Sequence, residues 1–225
     1  MKTNCCSPLL QLLFGLALLL GLAKPDPDPL QDYCVADNRS PQSLFLNGAP
    51  PCIDPNRATA SDFATSALSR PGDTLANSAG SNVTLTNTVN LPGLNTMGLT
   101  LARIDIEANG FVPPHSHPRA SEVTICLKGE LVVGFLDTSN RFYTQKLLPG
   151  DSFVFPKGLI HFLSNADERL PALAVSGLNS QNPGVQLTSL ASLATTKPGI
   201  PDEILKKAYQ INGVDVARIR RNLGG

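Results

Sequence analysis

Between Ser81 and Leu178 the chain reads as a series of short β-rich runs: SNVTLTNTVN, MGLTLARIDIE, SEVTICLKGELVVGFLD, NRFYTQKLL, DSFVFP, HFLSN and LPALAVSGL. Gly, Pro, Asn or Asp punctuates them at close intervals. That cadence predicts an all-β domain, a barrel or a sandwich, over residues 80–187. The flanks have a different texture. Residues 24–79 are rich in Pro, Asp, Asn, Ser and Gly with little periodicity, which predicts an extended, loop-rich arm.

Residues 188–225 carry helical signals. SLASLAT allows a short helix, and Pro201 opens DEILKKAYQI, where Ile204, Leu205, Ala208 and Ile211 recur at helical spacing. Gly213 is expected to break that helix. In VDVARIRRNL, Val216, Ile219 and Leu223 share one stripe, while Arg218, Arg220 and Arg221 fall elsewhere and read as a solvated face. Such a hairpin needs an apolar surface to pack on, its own barrel or a neighbouring subunit.

The first residues carry Lys2, an apolar run from Leu9 to Leu20, and small residues ending at Ala23. Residues 1–23 therefore read as a cleavable secretory signal peptide, since the run falls short of the roughly 20 residues that span a bilayer. Export sets the redox compartment. Of the five cysteines, Cys34, Cys52 and Cys126 remain after cleavage, and Cys34 with Cys52 is the natural disulfide pair. The bridge closes a loop of about 18 residues and restricts the unfolded chain by roughly 3 kcal/mol. Cys126 lies in the apolar run EVTICLKG, where a buried, inert thiol is expected. Asn38-Arg-Ser and Asn82-Val-Thr are glycosylation sequons; Pro41 follows the first, which makes Asn82 the better acceptor. Eighteen basic residues balance eighteen acidic ones, so nothing favours a nucleic-acid or anionic-membrane partner.

All three histidines fall in two segments, His115 and His117 in PPHSHPRASE and His161 in PKGLIHFLSN, with Glu122 beside the first. His-x-His in an extended strand puts both imidazoles on one face, because side chains alternate with period two. Three imidazoles and a carboxylate supply four ligands and leave a six-coordinate ion two open positions. Ligand type alone permits Mn, Fe, Ni, Co, Cu or Zn. The bland alternative is that these histidines merely satisfy hydrogen bonds in a core.

Spacing is more specific than composition. The patterns His115-x-His117-x4-Glu122-x6-Gly129 and Gly150-x5-Pro156-x-Gly158-x2-His161-x3-Asn165 resemble the paired motifs of the cupin superfamily. DPDPLQDYCVAD, GLNTMGLTLARIDI, PPHSHPRASE, SGLNSQNPG and PDEILKKAYQI extend the likeness to plant germin-like proteins over nearly the whole mature chain. The resemblance implies a single jelly-roll β-barrel with a Cys34–Cys52 disulfide in its arm and a C-terminal helical hairpin. It also implies trimer-of-dimers hexamers, an apoplastic location, and manganese held by His115, His117, Glu122 and His161.

The departures from that pattern matter equally. Asn109 stands where a glycine usually leads the first motif; asparagine tolerates positive φ, so the turn is expected to survive. Germins that oxidise oxalate resemble one another in carrying two asparagines near the metal, and those positions fall on Ala102 and Val112 here. Neither side chain donates a hydrogen bond. At roughly 1 to 3 kcal/mol per missing donor, the loss reaches several orders of magnitude, so little or no oxalate oxidase activity is expected.

Superoxide needs no such clamp, because the metal itself alternates between two oxidation states; the activity expected of a site with these four ligands and no clamp is therefore dismutation, yielding hydrogen peroxide in plant defence. Two other readings stand beside it: a metal-assisted binder of a small carboxylate, as auxin-binding cupins resemble, and a structural cell-wall protein. If the strand after Glu122 runs without a bulge, Glu122, Thr124 and Cys126 share a face, which places the Cys126 thiol inside the barrel as filler or near the metal.

Overall fold

The computed structural model describes residues 31–39, 49–194 and 198–223. The predicted signal peptide, residues 1–23, lies outside them. Ten strands follow the arm: β1 (Ser81–Leu85), β2 (Thr100–Ile106), β3 (Phe111–Ser116), β4 (Glu122–Lys128), β5 (Leu131–Leu136), β6 (Phe142–Leu147), β7 (Ser152–Phe155), β8 (His161–Ser164), β9 (Ala172–Leu178) and β10 (Gln186–Leu187). Among the described residues three α-helices follow: α1 (Thr188–Leu193), α2 (Asp202–Tyr209) and α3 (Gly213–Asn222). No helix of the described residues is long and apolar enough to cross a membrane.

The strands form two antiparallel five-stranded sheets, ordered β1-β2-β9-β4-β7 and β10-β3-β8-β5-β6. This is the jelly-roll arrangement, and its inner faces follow from period-two alternation. Along β9, Ala172, Ala174, Ser176 and Leu178 are buried while the residues between them are half-exposed. Along β2, Thr100, Ala102, Ile104 and Ile106 point the same way. They meet Val112, Leu131, Val133 and Leu163 of the facing sheet in one core.

The arm covers the outer face of β2. It turns through short 3₁₀ segments at Pro55–Arg57, Ala60–Phe63 and Thr74–Ala76. Beneath it Arg103 and Asp105 pair at 2.8 Å, with the Gly72 N–H donating to Asp105 at 3.0 Å, so a strand's outward charges are buried without being orphaned. The Cys34–Cys52 disulfide is formed as expected. Asn165, the last residue of the second motif, is almost wholly buried and works as a staple: its Nδ2 donates to Glu107 and Leu170 carbonyls at 2.9 and 2.8 Å. Asn109 adopts φ +58°, so the turn before β3 survives without the glycine.

Two expectations for the C-terminal hairpin need correction. Gly213 does not end α2; Gln210 does, in the left-handed conformation at φ +55°, and Gly213 opens α3 behind the Asn212 cap. Arg220 is not simply solvated either. Its guanidinium donates to Leu193 O, Ile200 O and Asp202 Oδ1, tying α3 to the ends of α1 and α2, while Arg218 and Arg221 are exposed.

Candidate metal centre

Pro113 and Pro114 interrupt β3, and neither offers a ladder N–H. The strand answers with a bulge: Val112 pairs with Leu163, yet His115 pairs with His161, one residue out of step. Without that extra residue Val112 and His115, three apart, would point to opposite faces. The bulge turns both into the barrel. His117 follows just past the end of β3, Glu122 opens β4, and His161 opens β8 opposite His115.

The structure brings all four sequence-predicted residues together, with donor atoms within 4.8 Å of one another. Each imidazole is fixed from behind by a backbone carbonyl. Nδ1 of His115 donates to Pro113 O at 2.8 Å, that of His161 to Leu159 O at 2.9 Å, and that of His117 to Gly184 O. Carbonyl oxygens only accept, so each Nδ1 carries a proton and each Nε2 turns its lone pair inward. Phe155 stacks on His161 with centroids 4.4 Å apart, holding the ring plane.

Glu122 Oε2 faces these lone pairs, 3.0 Å from His117 Nε2 and 3.4 Å from His161 Nε2. Oε2 and His161 Nε2 are both buried without a hydrogen-bond partner. A carboxylate oxygen pressed against imidazole lone pairs is costly unless a cation or proton lies between them. A divalent ion satisfies all four donors, so the residues fit a metal ion.

Protonation in the metal-free protein follows the same geometry. Burial and neighbouring His161 push the His115 pKa down to about 4. At His117 burial acts in the same direction, but bonding to Glu122 and Gly184 outweighs it and raises the pKa. Burial opposes ionisation of Glu122, yet His117, His161 and Ser176 hold it well below the usual carboxylate range.

The cluster opens into a cavity of about 420 Å³ between the sheets. Ala102 and Val112 line it as predicted, together with Leu163, Leu178, Val185 and Leu187. Asn77, Ser78 and Ser81 also line it, and two of these three polar side chains hold bonds within the protein. Asn77 Nδ2 donates to Ser81 O, and Ser81 Oγ donates to Phe111 O, each at 2.8 Å.

Cys126 shares the inward face with Glu122 and Thr124; the irregularity in the β4–β9 ladder comes only after it. It is fully buried in the core, outside the donor cluster, with burial pushing its thiol pKa up. Of the sequons, Asn38 is exposed and donates to Thr88 O at 2.8 Å. Asn82 is half-buried against Gly72, its Nδ2 donating to Asp73 O at 3.3 Å. A glycan on that nitrogen has to displace this bond.

Sequence reasoning missed Arg119. Its Nε and Nη2 donate to Asn182 O and Oδ1 at 2.6 and 2.8 Å, and its backbone N–H donates to Pro183 O at 3.1 Å. It thereby clamps the loop whose Gly184 carbonyl orients His117. Gly184 sits at φ +67°, and a Cβ there would lie 2.7 Å from Arg119 Nη2. The only hint in the sequence was the adjacency of Arg119 to the His-x-His segment.

Comparison with known proteins agrees with this architecture. The Cupin family model matches residues 66–217. The chain is 61% identical over 218 residues to Germin-like protein subfamily 1 member 1 of Arabidopsis thaliana, covering 96% of this chain and all of that one. Among solved structures, an oxalate oxidase in complex with the substrate analogue glycolate superposes with a TM-score of 0.81 at 36% identity, covering 88% of this chain and 97% of the other. Peruvianin-I, a cysteine peptidase from Thevetia peruviana latex, superposes with a TM-score of 0.67 at 41% identity over 72% of this chain and 98% of its own. The jelly roll, the buried cluster of three histidines and a glutamate, and these matches agree: the chain belongs to the germin-like proteins of the cupin family.

Proposed function

We propose that this chain is a secreted, apoplastic manganese protein that dismutates superoxide and has little or no oxalate oxidase activity. The observation that carries the reading is the contrast within the cavity. His115, His117 and Glu122 of the four-donor cluster line it, while Ala102, Val112 and Leu163, which line it too, offer no hydrogen bond to a substrate. Oxalate is a dianion whose outer carboxylate needs such donors once water is excluded. Superoxide is diatomic and needs only access to the ion.

When bound, manganese supplies the one-electron couple by which one superoxide is oxidised to dioxygen and a second, with two protons, is reduced to hydrogen peroxide. The chain's own part is positional. Three carbonyls keep the Nε2 lone pairs aimed inward. The ionised Glu122 offsets cationic charge in a buried site.

Cysteine-peptidase chemistry, named for Peruvianin-I, finds no accessible thiol among the described residues here. Cys34 and Cys52 are paired, and Cys126 is buried with its thiol pKa raised. A second reading draws on cavity size: about 420 Å³ exceeds what superoxide needs and suits an auxin-like monocarboxylate with an apolar body. The resemblance to germins further supports a homohexamer, glycosylation at Asn82 or Asn38, and peroxide supply in plant defence.

The deciding experiment is elemental analysis and superoxide dismutation by the purified protein beside His161→Ala. About one manganese per chain and activity, both lost in the variant, is the expected result. Activity that survives in His161→Ala means that the site is not responsible. A manganese spectrum that shifts with indole-3-acetate, without dismutation, favours the binding protein.

A further inference from the structure

The two carboxylate oxygens of Glu122 are not equivalent. Oε1 accepts a hydrogen bond from the Thr124 hydroxyl at 3.0 Å. Oε2 faces the imidazoles and has no donor of its own. Thr124 pairs with Ser176 across the β4–β9 ladder; both side chains are fully buried, and their hydroxyls lie 2.7 Å apart. Each hydroxyl has one proton to give. That of Thr124 goes to Glu122, so that of Ser176 goes to Thr124 Oγ1. The result is a directed chain from Ser176 through Thr124 to Oε1.

Hydroxyls are an expensive choice at this place. The neighbouring inward positions hold Ala102, Ile104, Cys126 and Ala174, and Val or Ala at 124 and 176 would fill the same space without a polar group to satisfy. A carboxylate can bind a cation through one oxygen or both. With Oε1 engaged by Thr124, only Oε2 remains on the side of the imidazoles.

We propose that Thr124 and Ser176 are positioning residues that hold Glu122 to one-oxygen coordination and so keep a coordination position open for water or superoxide. The proposal rests on the manganese reading above. Three imidazoles and one oxygen leave two positions on a six-coordinate ion, whereas a carboxylate freed to turn takes one of them.

The test is Thr124→Val, which keeps the branched shape and removes the hydroxyl, loaded with Mn(II). Solvent-proton relaxivity counts exchanging bound waters, and the Mn(II) EPR line shape reports ligand symmetry. The expected result is full manganese content, relaxivity lowered to about half as two open positions become one, and an altered spectrum. Thr124→Ser should restore both signals, and Ser176→Ala, a milder change for use if Thr124→Val does not fold, should shift them partway. A purely structural role would lower the melting temperature and leave both signals unmoved. Wild-type relaxivity and spectrum in the folded, loaded variants would overturn the proposal. So would loss of manganese from folded Thr124→Val, which would make the hydroxyl a requirement for binding. A wild-type chain that takes up no manganese removes the parent reading and this inference with it.

Discussion

His117 Nε2 stands 3.0 Å from Glu122 Oε2, and the turn between β3 and β4 sets that distance. Nearness to Glu122 and the bond to Gly184 O raise the His117 pKa, so at acid pH, in the metal-free protein, a proton on Nε2 bridges the gap. Metal uptake must expel that proton, so manganese affinity should fall by about tenfold per pH unit below the His117 pKa. Calorimetric titration in buffers of different ionisation enthalpy should show proton release per ion that rises toward one as the pH is lowered through the His117 pKa. No buffer dependence would contradict the protonated bridge.

Acid should also destabilise the metal-free fold. The folded-state pKa of His115 is lowered from 6.5 to about 4, so below 6.5 the unfolded chain binds a proton that the folded one refuses. Glu122, held below its ordinary range, acts in the same direction. His117 acts oppositely, its contribution being present at low pH and lost as pH rises. The net expectation is a melting temperature that falls between about pH 6.5 and 4 in chelated protein, with less of a fall in His115→Ala. Equal falls in both would remove His115 as the cause.

Arg119→Ala should loosen the Asn182–Gly184 loop and the carbonyl that orients His117. Losses behind a ligating histidine typically cost roughly 10- to 100-fold in metal affinity. Arg119 is exposed, so the melting temperature of the metal-free protein should move little. Competition with a chelator measures the first quantity and thermal unfolding the second.

Oxalate should yield no peroxide above background with the native chain. Ala102→Asn with Val112→Asn restores two donors to the cavity, and measurable oxalate-dependent peroxide is expected. Overpacking should cost about 1 to 3 kcal/mol of stability. A folded, manganese-loaded double variant that still ignores oxalate would show that donors at these two positions are not what the reaction lacks.

Much of the fold was legible because strand alternation and turn breakers are local. The runs around Arg103, Thr124 and Ala174 mark β2, β4 and β9, and the inward set Glu122, Thr124 and Cys126 follows from period two. The ligand set was legible because the chemistry needs His and Glu, and the chain has no other histidines to distribute. The role of Arg119 was not, because its partner Asn182 lies 63 residues away. Nor was the end of α2 at Gln210, where an ordinary residue takes the left-handed conformation that a glycine would have advertised.

The sequence by itself determined the β architecture, the Cys34–Cys52 pairing and the identity and order of the four donors, since each rests on residue type and short-range spacing. The tertiary structure alone decided how those donors are used. The Pro113-Pro114 bulge turns Val112 and His115 into one cavity. Gly184 fixes the tautomer of His117. Thr124, paired with Ser176 across 52 residues, separates the two oxygens of Glu122. These depend on ladder register and on hydrogen bonds between distant segments, which the packing of both sheets sets together and no local pattern records.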